Sequence, residues 1–187
     1  MNVIIFGPPG AGKGTQAINI SKKFNLYQIS TGDLLRNEVK NKTEIGKDIE
    51  NIISKGDFAT DEIVNELIKK AIFDKNKKNK LIFDGYPRSV SQAKNLESMM
   101  DESNQKIDFI FFLNVSKDTI ISRIEKRKVL EKRADDDLST ILKRYDVYME
   151  TTKPVLDYYN KNTNFCEIDG SLKIEEITAK IGTFMNV

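Results

Sequence analysis

The amino-acid sequence predicts an α/β fold in which a five-stranded parallel sheet is wrapped by helices. Three observations support this prediction. Short apolar runs alternate with segments of helical periodicity, as in folds built on a parallel sheet. Most of these runs are continuously apolar, which is typical of strands covered on both faces. The first run leads directly into a glycine-rich turn, and a helical segment follows the turn.

The predicted elements follow from these patterns in chain order. The strands are apolar runs rich in β-branched or aromatic residues, and they cover residues 3–6, 26–29, 81–83, 109–115 and 165–168. The helices have apolar residues at helical spacing, and they cover residues 13–24, 33–41, 44–54, 61–73, 91–100, 117–127, 136–159 and 174–184. Pro154 lies inside the helix predicted over 136–159 and should kink it.

Two inserts interrupt the alternation of strands and helices. Residues 30–59 add two helices where a crossover needs only one, and residues 128–132 separate two helical segments. A length of 187 residues suits one compact domain with small inserts better than two independent domains.

Composition excludes several classes of function. The 30 Lys and Arg residues nearly balance the 28 Asp and Glu residues, so the net charge of +2 disfavours a non-specific nucleic-acid or membrane-surface binder. The single cysteine cannot form an internal disulfide bond. The absence of histidine excludes Ser-His and Cys-His mechanisms, and it leaves no Cys/His set for zinc.

The apolar segments are short. The longest, residues 109–113, is far below the ~20 residues that span a bilayer. The run at residues 3–6 is also too short for the apolar part of a signal peptide. We therefore expect a cytoplasmic protein with no membrane or nucleic-acid partner.

Residues 7–15, GPPGAGKGT, have the context of a phosphate-binding loop, between a strand and a helix. Glycines let successive backbone N–H groups turn toward a polyphosphate, and the following helix adds its dipole. Lys13 would reach the outer phosphates. The segment departs from the strict G-x-x-x-x-G-K-[ST] pattern because Gly14 follows Lys13 and the hydroxyl comes at Thr15. Asp84, at the end of an apolar run, is the expected partner for Mg²⁺ on those phosphates.

Arginine is scarce in this sequence. Only six of the 30 cationic residues are Arg: Arg36, Arg88, Arg123, Arg127, Arg133 and Arg144. In a chain that uses Lys for ordinary surface charge, Arg marks positions where a planar fork on phosphate oxygens matters. This indicates transfer between phosphates. A phosphate acceptor is already an anionic nucleophile, so the reaction needs no histidine as a base.

These motifs resemble those of the nucleoside monophosphate kinases, and most closely the adenylate kinases. The resemblance covers nearly the whole chain, in the order GPPGAGKGTQA (7–17), ISTGDLLR (29–36), GDFATDE (56–62), DGYPRSVSQA (84–93), RIEKR (123–127), RADD (133–136), KRYDVY (143–148) and IDGS (168–171). It implies a P-loop NTPase fold whose core is formed by residues 1–29, 60–126 and 137–187. A small helical NMP-binding insert would cover 30–59, and a short lid 127–136.

The resemblance also implies a role for each matching residue. ATP would be held by Gly10, Ala11, Gly12, Lys13, Gly14, Thr15, Arg123, Arg127 and the Gly170 backbone. AMP would be held by Thr31, Arg36, Asp57, Phe58, Ala59, Gly85, Tyr86, Pro87, Arg88, Gln92, Arg133 and Arg144. The catalytic set would be Lys13, Arg88, Arg123, Arg127, Arg133 and Arg144. Asp84 and Asp33 would orient Mg²⁺ through water.

Some of these residues also have a plain structural explanation. Thr31 and Asp33 fit the cap of the helix that they begin. Thr60 and Asp61 are interpreted as a helix start and are left outside the site.

The implied activity is reversible, Mg²⁺-dependent phosphoryl transfer from ATP to AMP, giving two ADP, in a monomer. Gln92 favours AMP because its amide can pair with N1 and the 6-amino group of adenine. The alternatives are a UMP/CMP kinase, a P-loop switch that signals to a partner, and a nucleic-acid-associated P-loop protein. The N-K-x-D and D-x-x-G motifs of GTPase-like switches do not occur in the sequence.

Overall fold

A parallel sheet forms the centre of the computed structural model, which describes residues 1–54, 57, 59–131, 138–162 and 164–185. Its strands are β1 (Val3–Phe6), β2 (Tyr27–Ser30), β3 (Leu81–Asp84), β4 (Phe109–Asn114) and β5 (Phe165–Asp169). Over these described ranges the sheet has five strands in the order β2-β3-β1-β4-β5. All neighbouring strands are parallel. The predicted fold class is confirmed.

The strand order places the carboxyl end of β1 at the middle of the sheet, between β3 and β4. From β1 the chain passes to β2 and β3 on one side, and later to β4 and β5 on the other. Ligands of open α/β sheets bind where the strand order reverses in this way. The loop that follows β1 therefore begins at the expected binding crevice.

Helices cover both faces of the sheet. They are α1 (Lys13–Phe24), α2 (Thr31–Lys40), α3 (Glu44–Ser54), α4 (Asp61–Ile72), α5 (Val90–Glu102), α6 (Lys117–Glu131), α7 (Leu138–Val147), α8 (Lys153–Tyr159) and α9 (Ile174–Phe184). A short 3-10 helix covers Lys75–Lys77.

Two apolar cores lie on opposite faces of the sheet because neighbouring residues of a strand point to opposite sides. Ile4 and Phe6 of β1 belong to one core and Val3 and Ile5 to the other, and all four are at most 3% exposed. The continuously apolar pattern of the strands has this cause. None of the described helices is both long enough and apolar enough to cross a membrane.

The helix predicted over 136–159 differs in the structure. The chain forms α7, then a π-helical turn at Tyr148–Thr152, and then α8. Pro154 lies in the first turn of α8, where its missing N–H is tolerated. A proline ring clashes with the carbonyl of the residue four positions earlier in a continuous α-helix, and a widened turn relieves that clash. The predicted interruption is present, but it begins at Tyr148, ahead of the proline.

The prediction that residues 128–132 separate two helices is wrong for most of that segment, because α6 continues to Glu131. Lys, Leu and Glu are good helix formers, and no Gly or Pro stops the helix there. Residues 132–137, which include Arg133 and half of the predicted lid, lie outside the described residues.

Candidate active site

The glycine-rich loop joins β1 to α1 at the middle of the sheet. Gly10 and Gly12 have φ angles of 80° and 94°, in the left-handed region that favours glycine. A Cβ atom at Gly10 would lie 2.8 Å from the side chain of Ile124, so α6 approaches the loop too closely for any other residue. Glycine is therefore needed both for the turn and for the packing of α6 on it.

Lys13 is held by the loop that precedes it. Its Nζ atom donates hydrogen bonds of 2.7 Å to the carbonyl oxygen of Gly7 and 2.9 Å to that of Pro8. Burial lowers the pKa of Lys13 to about 8, Asp84 opposes the shift, and nearby arginines, Arg88 first among them, add to it. The site therefore concentrates positive charge, which favours an anionic ligand.

Arg88 is anchored before any ligand arrives. Its Nε atom donates to the carbonyl oxygen of Gly85 at 2.7 Å, and its Nη2 atom donates to Oγ1 of Thr31 at 3.2 Å. Burial, together with the charge of Arg144, lowers the pKa of Arg88 to about 10, and the charge of Asp84 opposes the shift. Arg88 therefore stays cationic at neutral pH although it is crowded by like charge.

One cleft at the carboxyl end of β1 brings together three of the predicted phosphate-binding cations, Lys13, Arg88 and Arg144. They come from α1, the loop after β3, and α7. Residues of β1, the glycine-rich loop, the loop after β3 and the π-helical turn complete the wall: Ile5, Phe6, Gly7, Pro9, Gly85, Pro87, Tyr148 and Thr152. Arginines that are distant in the sequence thus meet the glycine-rich loop.

Arg123 and Arg127 lie on α6, beside the same loop. Nη1 of Arg123 donates to the carbonyl oxygen of Ala11 at 3.2 Å. Arg127 is close enough for its charge to lower the pKa of Lys13. Of the two predicted donor-side arginines, Arg123 therefore contacts the loop and Arg127 lies near the lysine.

Arg36 lies on α2. It forms an ion pair with Asp33 at 2.5 Å, and its charge also lowers the pKa of Arg88. The sixth arginine, Arg133, is outside the described residues. Each of the five described arginines contacts the glycine-rich loop, lines the cleft, or lowers the pKa of Lys13 or Arg88.

Asp84 ends β3 and is 8% exposed. Nε2 of Gln28 donates to its Oδ2 atom at 3.1 Å. Burial raises the pKa of Asp84, the charge of Lys13 opposes this most strongly, and Asp33 adds to the increase. The two predicted magnesium residues are therefore close enough to interact. Within the described ranges, no group of three or more carboxylate, cysteine or histidine side chains could hold a metal ion, so ligands from outside the protein would have to complete a metal site.

Gln92 is buried, 4% exposed, and both ends of its amide are hydrogen-bonded. Its Oε1 atom accepts from the backbone N–H of Arg88 at 2.7 Å, and its Nε2 atom donates to Oδ1 of Asp61 at 2.6 Å. Asp61 was predicted to be a plain helix start. It does begin α4, but it also contacts the side chain predicted to read the base.

The remaining predicted AMP residues have different surroundings. Tyr86 is fully buried, and its hydroxyl donates to Oδ1 of Asn65 at 2.6 Å, so its side chain belongs to the core. Ala59 is 6% exposed and belongs to the same core. Asp57 is half exposed and forms an ion pair with Lys143 of α7 at 2.8 Å. Phe58 lies outside the described residues.

The remaining ATP residues lie around the carboxyl edge of the sheet. Gly170 follows β5, and its N–H donates to the carbonyl oxygen of Asn114 at 2.8 Å. A Cβ atom there would lie 2.4 Å from the side chain of Val115, so only glycine fits. A Cβ atom at Gly14 would be 3.4 Å from Oδ2 of Asp84. Thr15 is exposed in the first turn of α1.

Sequence reasoning did not identify three residues that support the cleft. Gln28 donates to Asp84, and Thr152 Oγ1 donates to the carbonyl oxygen of Arg88 at 3.0 Å. Tyr148 lines the cleft, and burial raises its pKa. Gln28 could have been identified as a polar residue inside the apolar run at 26–29. Tyr148 and Thr152 gave no such signal because they continue a helical pattern.

Comparisons of the sequence with a family profile and with individual proteins point to the same family over most of the chain. The profile of the adenylate kinase family matches residues 5–164. The chain is 48% identical to the adenylate kinase of Pelagibacter ubique (strain HTCC1062) over 213 aligned positions, which cover 100% of both proteins. It is 44% identical to that of Azobacteroides pseudotrichonymphae, covering 97% of this chain and 95% of the relative. It is 40% identical to that of Parabacteroides distasonis, covering 100% and 98%. By its motifs, its fold and these relatives, the chain belongs to the adenylate kinase family.

Proposed function

We propose that this chain catalyses the reversible phosphoryl transfer of its family, from ATP to AMP, giving two ADP. The cations Lys13, Arg88 and Arg144 would form the centre of the active site. The observation that carries the proposal is the cleft lined by Lys13, Arg88 and Arg144. The charges of Arg88 and Arg144 lower the pKa of Lys13, and the charge of Arg144 lowers that of Arg88, so the three cations are costly to hold together without a ligand. A transferring phosphoryl group between two nucleotides supplies the negative charge that such a cluster needs.

The chemistry needs alignment and neutralisation of charge rather than a base. An oxygen of the AMP phosphate forms a bond to the γ-phosphorus of ATP. The bond from that phosphorus to the β-γ bridging oxygen breaks, and its electron pair leaves with ADP. The attacking oxygen is already anionic, so no proton has to be removed. A sequence with no histidine suits this reaction.

On the donor side, residues 10–15 would hold the ATP phosphates, with Lys13 on the outer ones and Arg123 and Arg127 beside them. The contact of Arg123 with the carbonyl oxygen of Ala11 supports this assignment, because it brings a guanidinium to the loop. The backbone of Gly170 would lie near the adenine, and its N–H already donates to the carbonyl oxygen of Asn114.

On the acceptor side, the insert 30–59 would close over AMP, and Arg36 and Arg88 would bind its phosphate. The backbone of residues 57–59 and 85–87 would form the wall. Gln92 would read the adenine base. Arg144 would reach the transferred group together with Arg133 from a short lid at 127–136, which would exclude water and so prevent hydrolysis of ATP.

Magnesium would be held by the ATP phosphates and by water, with Asp84 and Asp33 accepting hydrogen bonds from that water. Carboxylates suit Mg²⁺, which keeps several of its waters when bound to nucleotides. Burial raises the pKa of Asp84, and a bound divalent cation would favour its charged form. The ion would neutralise charge that develops on the phosphate oxygens.

We also propose that the enzyme acts as a monomer in the cytoplasm. Lys13, Arg88 and Arg144 come from one chain, so the cleft needs no second copy. The unpaired Cys166 suits a reducing compartment. Sedimentation of the purified protein would test the first statement.

The activity is tested by product formation from Mg·ATP with AMP, UMP, CMP or GMP in parallel, with a control that lacks an acceptor. We expect rapid formation of ADP with AMP alone. A preference for UMP or CMP would keep the mechanism and remove the role proposed for Gln92. Binding of ATP without transfer to any acceptor would contradict the proposed function.

A further inference from the structure

Asp61, the first residue of α4, joins that helix to the start of α5. Its Oδ1 atom accepts a hydrogen bond from Nε2 of Gln92 at 2.6 Å, and its Oδ2 atom accepts from Oγ of Ser89 at 3.2 Å. Gln92 and Ser89 belong to the first turn of α5 and its cap. One carboxylate therefore fixes two side chains of the segment that carries Gln92.

A second contact acts on the other end of the same amide. The backbone N–H of Arg88 donates to Oε1 of Gln92 at 2.7 Å. An N–H group can only donate, and a carboxylate can only accept. If the amide turned over, its oxygen would face Asp61 and its NH₂ group would face the N–H of Arg88, so both hydrogen bonds would be lost. The two contacts therefore fix the orientation of the Gln92 amide, with its oxygen toward Arg88 and its nitrogen toward Asp61.

The fixed amide still has free hydrogen-bonding capacity. An amide oxygen accepts two hydrogen bonds, and an amide nitrogen donates two. Arg88 and Asp61 use one of each, so among the described residues one acceptor position and one donor position remain for a ligand. Adenine offers the complement of that pair, a donor at its 6-amino group and an acceptor at N1. Hypoxanthine, the base of IMP, has these reversed, with an acceptor at O6 and a donor at N1.

We propose that Asp61 is a positioning residue for selection of the acceptor base: it holds the Gln92 amide in the orientation that pairs with adenine and rejects 6-oxopurines. This inference rests on the proposed function, in which Gln92 reads adenine. A site built to hydrogen-bond one pattern rejects the reversed pattern, because buried donors would then face donors and buried acceptors would face acceptors. Asp61 acts through Gln92 and does not need to touch the nucleotide.

A purely structural role makes a different prediction. An acidic residue in the first turn of a helix stabilises that helix through the dipole. Ser89 and Gln92 also resemble a capping pair, because Oγ of Ser89 accepts from the N–H of Gln92 at 3.1 Å. If Asp61 only stabilised the fold, its loss would lower activity with AMP and with IMP by the same factor.

The test compares kcat/KM for AMP with kcat/KM for IMP in Asp61→Asn and Glu62→Gln. Asn at position 61 can also donate, so it removes the preference that Asp61 imposes and leaves only the N–H of Arg88 to oppose the reversed amide. Glu62 is the matched control because it lies in the same first turn and its side chain is exposed. We expect Asp61→Asn to lower the AMP/IMP ratio about tenfold, mainly through KM for AMP, with KM for ATP unchanged. We expect Glu62→Gln to leave the ratio unchanged.

An unchanged ratio in a folded Asp61→Asn protein would overturn the inference. If that variant does not fold, Asp61→Ser keeps a residue that suits a helix start, and the same readout applies. Gln92→Leu separates this inference from the proposed function. If Gln92→Leu lowers the ratio and the Asp61 variants do not, only the role of Asp61 is overturned. If Gln92→Leu leaves the ratio unchanged, Gln92 does not read the base and the inference is overturned with it.

Discussion

Nη2 of Arg88 donates a hydrogen bond of 3.2 Å to Oγ1 of Thr31, which joins the loop after β3 to the start of α2. The same hydroxyl donates to the carbonyl oxygen of Gly85 at 2.9 Å, and that carbonyl also accepts from Nε of Arg88 at 2.7 Å. The three groups form a closed set of hydrogen bonds. The guanidinium is therefore oriented before a phosphate binds, which reduces the entropy lost on binding.

Thr31→Val should release this orientation with little change in volume. The valine cannot accept from Arg88, so we expect kcat/KM for AMP to fall about tenfold while KM for ATP is unchanged. Thr31→Ser keeps the hydroxyl and should stay within about twofold of the parent. Steady-state kinetics with each nucleotide varied checks both. A serine variant as impaired as the valine variant would show that loss of the hydroxyl alone does not explain the effect.

Arg88→Lys should lower turnover more severely than it lowers stability. A lysine ammonium cannot reproduce the two parallel contacts of a guanidinium on phosphate oxygens. We expect kcat to fall on the order of 100-fold or more, as for other removals of a preorganised donor. The free energy of unfolding should change little, because the replacement keeps one charge in a cluster of like charges. Turnover and urea unfolding measure the two effects, and near-normal turnover would remove Arg88 from the catalytic set.

Much of the fold could be predicted because the pattern that specifies it is local. Each predicted strand end lies within one residue of the observed one. Buried parallel strands are apolar on both faces, so their runs are continuous and easily recognised. The glycine-rich loop was equally easy to recognise. Its turn requires positive φ angles at Gly10 and Gly12, and this requirement restricts both positions to glycine.

The contacts around the site could not be predicted because they join distant parts of the chain. Gln92 meets Asp61 across 31 positions, and Thr152 meets Arg88 across 64. Asp61 has the residue type that any helix start favours, so local pattern assigned it no further role. The helix that ends at Glu131 was predicted to end at residue 127, although Lys, Leu and Glu of the following segment are good helix formers.

The ion pair between Asp57 and Lys143 should contribute little to stability. Their side chains are 44% and 45% exposed, so water screens the 2.8 Å contact between the insert and α7. A double-mutant cycle with Asp57→Asn and Lys143→Gln, read by urea unfolding, should give a coupling energy of about 0.5 kcal/mol that decreases at high salt. The exposed pair Glu66 and Lys70 provides a matched control. A coupling energy of about 2 kcal/mol that persists at high salt would contradict this prediction.

Lys13 should make ATP binding depend on pH above neutrality. In the free protein its pKa is lowered to about 8, mainly by burial. A bound triphosphate favours the ammonium form and raises that pKa, so binding takes up a proton at any pH between the two values. Affinity therefore falls as pH rises through this range, and the group has no effect well below pH 8, where it is already charged.

Calorimetric titration with ATP in two buffers of different ionisation enthalpy checks the prediction for Lys13. Between pH 8 and pH 9 we expect affinity to weaken about fivefold, as the fraction of charged Lys13 falls, with proton uptake on binding. Arg88, whose pKa is lowered to about 10, stays charged over most of this range. Lys13→Met should bind ATP more weakly at pH 8 and without this proton uptake, because the titrating group is gone. The same pH dependence in Lys13→Met would show that another group controls binding.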